Sequence, residues 1–181
     1  DLVVNWENGG KEIVENGMTS FRGKRFYFRE GITGSFINSA NFGVRYKPCG
    51  FLFDIQGSSS FPKQRDLYVI TGYLNSKLSF NFLSLINPTL SFQGGNINSL
   101  PFMEDFNRSL EIEICSKKSV CISKKDWDSR ETSWDFEKSP LLNSCSSLPL
   151  AYETWEENVT LDFFQLHANE EELNRIFIDI Y

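Results

Sequence analysis

The residues with most chemistry available to them are the bases and rings interleaved between positions 20 and 65. This stretch holds eight bases, Arg22, Lys24, Arg25, Arg29, Arg45, Lys47, Lys63 and Arg65, against two acids, Glu30 and Asp54, a local net charge of +6. Aromatics alternate with the bases, as in Arg25-Phe26-Tyr27-Phe28-Arg29. Guanidinium and ammonium groups meet phosphates or guanine, a glutamine such as Gln56 can pair with adenine, and hydroxyls such as Ser58 and Ser59 can bond phosphate. Elsewhere the balance reverses: residues 1–19 carry −3, residues 66–130 are neutral, and residues 131–181 carry −9, giving −6 overall. Net acidity argues against nucleic acid, but a partner meets one face, and a basic stripe is the footprint of a phosphate-binding surface. Solvated charges scattered on strands are the plainer reading of the same residues.

Other chemistries are poorly served. The four cysteines, Cys49, Cys115, Cys121 and Cys145, form no C-x-x-C pair and are expected to be free thiols. His167 is the single histidine, so neither a zinc site nor a His-dependent triad has the ligands it needs. His167 is expected to be a solvent-facing helix residue. Asp126, Asp128 and Glu131 form a conceivable carboxylate cluster for a metal, although such loops are usually just solvated. Phosphate-loop, dinucleotide and nucleophile-elbow patterns are absent. Asn87-Pro88-Thr89 is not the Asn-Pro-Pro-Tyr type of loop that holds a target amine in amino-group DNA methyltransferases. No apolar run approaches membrane-spanning length, and no signal peptide is evident. The chain begins at Asp1 and stops in an apolar periodic stretch, as a piece of a longer protein would.

The elements that must position the basic segment follow from periodicity. Residues 25–29 and 32–37 read as short strands, and 42–46 with 51–55 as a hairpin around Lys47-Pro48-Cys49-Gly50. Gly57 to Ser60 reads as a flexible loop. Leu67, Ile70, Leu74, Leu78, Phe82 and Leu85 recur at helical steps. That helix would be capped near Asp66, end at Asn87-Pro88, and pack one face on the sheet. A strand at 89–92, a break at Gly94-Gly95, a turn over 96–102 and a helix from about 104 to 115 or 125 come next. Residues 126–149 lose periodicity and form an aromatic-rich loop with Trp127, Trp134 and Phe136. These rings could stack on bases or pin the loop to the body. Residues 151–181 are helical, either as one helix or with a restart capped by Asn169 and Glu172. The fold class is therefore α+β: a small mixed or antiparallel sheet with a packed helix, followed by an α-helical appendage. The expected division is residues 1–103 and 104–181.

Several segments resemble a known family. Phe28-Arg29-Glu30-Gly31-Ile32-Thr33-Gly34-Ser35, then Phe42-Gly43-Val44-Arg45-Tyr46-Lys47-Pro48-Cys49-Gly50-Phe51 and Phe53-Asp54-Ile55-Gln56-Gly57-Ser58-Ser59, are similar to the target-recognition region of the adenine-specific DNA methyltransferases of the BREX phage-defence system, the PglX family. Leu74-Asn75-Ser76-Lys77, Asn87-Pro88-Thr89-Leu90-Ser91-Phe92-Gln93 and Leu100-Pro101 resemble the same family and, more loosely, restriction-modification specificity domains. The most specific match runs from Ile122 to Phe136, and another from Asn169 to Tyr181. The resemblance spans about residues 20–181. Gly34 departs from it, standing where the family often has Trp.

The resemblance implies a cytoplasmic parent enzyme that transfers a methyl group from S-adenosylmethionine to N6 of a flipped adenine, with the catalytic loop and cofactor pocket before Asp1. This piece would then hold no cofactor or structural metal of its own. It would grip double-stranded DNA through Arg22, Lys24, Arg25, Arg29, Arg45, Lys47, Gln56, Ser58, Ser59, Lys63 and Arg65. Two alternatives stay open: an acidic helical module that docks other subunits of the defence complex, and a free-standing metal-dependent enzyme using Asp126 and Asp128.

Overall fold

The computed structural model describes residues 3–17, 21, 23–35, 37, 42–54, 56–89, 91–103, 108–142 and 147–181, with the backbone alone at Arg65. Among these residues the chain is α+β. In chain order the elements are helix α1 (Lys11–Glu15), strands β1 (Gly31–Gly34), β2 (Val44–Lys47) and β3 (Ser59–Ser60), and helices α2 (Leu67–Leu74), α3 (Lys77–Ile86), α4 (Gly94–Asn98), α5 (Ser109–Asp128) and α6 (Leu148–Ile180).

The sheet is antiparallel in the order β2-β1-β3. β1 pairs with β2 in the register Gly31–Lys47, Ile32–Tyr46, Thr33–Arg45 and Gly34–Val44, and with β3 through Ile32–Ser60 and Thr33–Ser59. Side chains alternate between the faces of a strand. One face therefore carries Ile32, Val44 and Tyr46 into the core, and the other carries Thr33, Arg45 and Ser59.

This pairing corrects two expectations. Residues 42–46 do not form a hairpin with 51–55, because β2 uses β1 as its partner. Residues 51–54 run without regular structure, and the Phe51 carbonyl accepts from the Phe28 amide at 3.2 Å. The polar stretch at 57–60, read as a loop, supplies β3. The expected strand at 25–29 is also replaced, by a 3₁₀ turn at Lys24–Phe26. Phe28 then takes φ 62°, a left-handed conformation that a strand excludes.

The helical period at 67–86 is present, but the helix is broken in two. Ser76 is extended, at φ −75° and ψ 151°, and its Oγ accepts from the Ser79 amide at 3.2 Å, capping α3. Asn75 explains where the break falls. Its Oδ1 accepts from Val44 N at 2.9 Å and its Nδ2 donates to Val44 O at 3.0 Å, so the end of α2 is clamped to β2. Asp66 precedes α2 but makes no side-chain cap bond to it; a 3₁₀ turn at Gln64–Asp66 leads in instead. α3 ends at Ile86, before Asn87-Pro88, as the sequence indicates. The strand expected at 89–92 is reduced to a single bridge between Ser91 and Ile37. Gly94-Gly95 opens α4 rather than breaking the chain.

α5 runs through Asp128, so Trp127 belongs to its last turn and the irregular stretch begins later than expected. α6 is one helix of 33 residues. Asn169 is buried within it, accepting from Gln165 Nε2 at 2.9 Å, and does not start a second helix. α5 and α6 run antiparallel, since Lys125 meets Asp162 at 2.6 Å while Arg108 meets Glu172 at 3.3 Å.

One buried cluster joins the sheet to the helices: Ile32 and Val44, Tyr73 of α2, Leu83 of α3, Ile112 of α5, and Leu173, Ile176 and Phe177 of α6. Each such side chain contributes about 1.5–3 kcal/mol on burial. α2 sits in the middle, packed on the sheet through one side and on α5 and α6 through the other. Gly72 makes the second contact possible, because a Cβ there would lie 2.4 Å from Ser116 Oγ.

Candidate nucleic-acid interface

The outward face of the sheet sets out a row of polar groups. Arg45, Thr33 and Ser59 lie directly opposite one another across the three strands. Arg45 is exposed. Thr33 Oγ1 donates toward the carbonyls of Gly57 and Ser58, both at 3.3 Å, and Gly34 N donates to Ser58 O at 3.0 Å, holding the loop before β3 against β1. Asp54 Oδ1 accepts from the amides of Gln56 and Gly57, each at 2.9 Å, and so shapes the turn that leaves Gln56 exposed. Ser59 Oγ donates to Gly57 O at 3.3 Å.

Beside this row is a cluster of rings that the sequence shows only as a high density of Phe. Phe26 stacks on Phe61 at 4.8 Å, Phe61 meets Phe53 at 5.1 Å, Phe53 meets Tyr27 at 5.2 Å, and Tyr27 meets Trp6 at 5.3 Å. Cations line its edge. Arg25 lies 4.7 Å and Arg29 5.7 Å from the Phe26 ring, and Lys24 lies 5.8 Å from Phe21. Such contacts fix an arginine's direction while leaving its donors available. Lys63 is exposed two residues beyond Phe61.

Lys47 behaves differently. It is buried, its ammonium donates to the Arg29 carbonyl and lies 5.3 Å from the Phe61 ring, and burial lowers its pKa against a smaller opposing effect from Cys49. Next to it Tyr46 stacks on Tyr68 and donates to Glu30 Oε2 at 3.0 Å; burial, followed by the Glu30 bond and charge, pushes its pKa up to about 12. Arg22 lies outside the described residues. Arg65 has its backbone in the turn before α2.

The cations of the two halves differ in their company. Among the described residues, Lys24, Arg25, Arg29, Arg45 and Lys63 have no carboxylate in ion-pair range. In the helical part, Arg108 meets Glu111 at 2.6 Å, Lys117 meets Glu113 at 2.6 Å, Lys124 meets Asp135 at 2.6 Å and Arg175 meets Glu172 at 2.5 Å. Salt bridges thus occupy most cations of the helical part, Lys118 and Lys138 excepted, while the five at the sheet end have none among the described residues.

The carboxylates considered for a metal are used in the same way. Asp126 pairs with Arg130 at 2.9 Å, and Asp128 pairs with Lys124 and accepts from Ser133 Oγ at 2.7 Å, which holds its carboxyl below the usual range. No group of three or more metal-ligating side chains occurs among the described residues. Trp127 and Trp134 are exposed and Phe136 is half-buried. His167 is exposed on α6, and Cys49, Cys115 and Cys121 are free thiols. No helix among the described residues is long and apolar enough to cross a membrane.

No protein-family model matches the chain. Curated relatives do. The chain is 38% identical over 194 residues to "Adenine-specific methyltransferase PglX" of Lacticaseibacillus casei (strain Zhang), an alignment covering 99% of this chain and 16% of that protein. It is 34% identical over 183 residues to "Adenine-specific methyltransferase BrxX" of Escherichia coli O9:H4 (strain HS), covering 99% of this chain and 15% of that protein. The chain spans about a sixth of the length of these relatives. Along nearly its whole length the chain thus matches one segment of the PglX and BrxX adenine-specific methyltransferases.

Proposed function

We propose that this chain is the DNA-recognition part of a site-specific adenine-N6 DNA methyltransferase acting in BREX phage defence in the cytoplasm. The observation that carries the reading is the set of five exposed cations without carboxylate partners, Lys24, Arg25, Arg29, Arg45 and Lys63, gathered around a three-stranded sheet and an aromatic cluster. A duplex phosphate is the ligand that such a surface lacks. Arg22 and Arg65 extend the stripe in sequence. In this reading the sheet region, residues 1–103, resembles a specificity domain. Arg45, Gln56, Ser58 and Ser59 approach base edges or backbone there, and Lys47 secures the sheet edge beneath them. The helical region, residues 104–181, carries the acidic surface away from DNA.

The division of labour follows from the chemistry. An adenine amine is inaccessible inside a duplex, so the enzyme must grip both flanks while the base is extruded. S-adenosylmethionine would supply the methyl group from a pocket elsewhere in the parent. The test is methylation by the full methyltransferase carrying Arg25→Ala, Arg29→Ala and Arg45→Ala together. Loss of N6-methyladenine with unchanged S-adenosylmethionine binding supports the assignment. Full methylation at physiological salt refutes it.

A further inference from the structure

The first half of α6 carries an apolar stripe that the described residues cover only in part. Leu148, Tyr152, Trp155, Val159 and Phe163 recur at three- and four-residue steps, which places them along one side of a helix with 3.6 residues per turn. The stripe continues into Leu166, Leu173 and Phe177. There α2, α3 and α5 cover it, and Leu173 and Phe177 are 6% and 0% exposed. Toward the start of α6 the 3₁₀ turn Pro140–Leu142 takes over from α5, with Ala151 buried and Trp155 half-buried, and leaves part of the stripe uncovered. α5 ends at Asp128, just past the level where Lys125 meets Asp162, and Tyr152 and Phe163 are 48% and 60% exposed. A shallow apolar hollow lies at the same end, lined by Leu141, Leu148, Pro149, Tyr152 and Glu153.

The acidic side chains near the stripe say what fits this surface. Glu153 lines the hollow and Glu156 lies beside the stripe, both exposed and without a basic partner among the described residues, whereas Asp162 farther along has Lys125.

We propose that this stripe is the docking site for an amphipathic helix with basic flanking residues, supplied by another part of the same methyltransferase polypeptide. The proposal rests on the chain corresponding to one segment of a protein of its relatives' length, and it does not depend on DNA binding. The occupant lies beside the 3₁₀ turn Pro140–Leu142, along the exposed side of α6 that carries Tyr152 and Phe163. A large apolar side chain enters the hollow beside Tyr152, and Lys or Arg faces Glu153 and Glu156. A second copy of this chain is a poorer fit, because its own acidic flank would meet this one.

The experiment is hydroxyl-radical footprinting with mass-spectrometric readout, without DNA, on the full methyltransferase and on the 181-residue chain. Tyr73, 1% exposed, reports that each sample is folded. Tyr152 and Phe163 are expected to be modified about fivefold less in the full enzyme, as exposure falls to core-like values. Glu153→Lys with Glu156→Lys in the full enzyme is expected to restore the reactivity of both rings while Tyr73 stays protected. Equal reactivity of the two rings in both proteins overturns the proposal. Protection that survives the charge reversal overturns the basic chemistry of the occupant. Protection in the isolated chain accompanied by a dimer in sedimentation assigns the surface to a second copy and overturns it as well.

Discussion

Gly72 lets α2 pack closely on α5, and replacing it tests how the sheet end is joined to the helical part. An added Cβ would lie 2.4 Å from Ser116 Oγ, 3.3 Å from Leu173 Cδ2 and 3.5 Å from Ile112 Cγ2. The first distance is about an ångström inside ordinary contact, so α5 must shift or Ser116 must rotate. Such overpacking costs about 1–3 kcal/mol. Alanine in place of glycine within a helix returns about 0.5–1 kcal/mol. Gly72→Ala is therefore expected to destabilise by about 1–2 kcal/mol, shifting the melting temperature by roughly 2–4 °C for each kcal/mol. Ser116→Ala removes the clashing oxygen, which is itself buried without a hydrogen-bond partner. That single change should be neutral or slightly stabilising, and in its background Gly72→Ala should become neutral or favourable. Urea unfolding of the two single variants and the double variant gives the coupling, expected at about 1–2 kcal/mol. Additive effects, or a stabilising Gly72→Ala alone, would refute the packing derived for this junction.

Two other consequences are open to direct measurement. Asn75→Ala leaves Val44 N and O without their side-chain partners and should cost about 1–3 kcal/mol in urea unfolding; Asn75→Asp, which keeps an acceptor but loses the donor, should not restore wild-type stability. Tyr46 should ionise near pH 12 rather than with the exposed tyrosines, followed by absorbance at 295 nm against Tyr46→Phe. Because its folded pKa is raised, the neutral phenol stabilises the fold below the unfolded value near 10, and that contribution is lost as pH rises from about 10 to 12. Glu30→Gln removes the negative charge and should bring the ionisation down.

Periodic segments were legible in the sequence, and points where side chains override periodicity were not. The apolar spacing of Leu67 to Leu85 marks α2 and α3, but it runs in phase through Asn75 and Ser76, so the break is invisible until Asn75 is seen bonded to Val44 from 31 residues away. The pattern after residue 150 marks α6, yet Asn169, polar and three residues before Glu172, imitates a cap while lying buried inside the helix. In the sheet, alternation identified β1 and β2 but not their pairing. Phe51 and Phe53 look like strand residues, but the Phe53 ring joins a cluster with Tyr27 and Phe61 while Phe51 stays exposed. Charge segregation was readable from the sequence. The absence of carboxylates around Lys24, Arg25, Arg29, Arg45 and Lys63, and the burial of Lys47, depend on tertiary contacts that no local pattern encodes.

The central claim is that the unpaired cations of the sheet end neutralise DNA phosphates. Its most direct test is duplex-DNA affinity between roughly 50 and 200 mM salt, for the full methyltransferase and its Arg25→Ala, Arg29→Ala, Arg45→Ala variant, with about 0.9 unit of log–log slope expected per phosphate neutralised. The variant is expected to bind more weakly, with a salt dependence flatter by about 2.7 units. Unchanged affinity and an unchanged slope would contradict it and place the DNA contacts elsewhere in the enzyme.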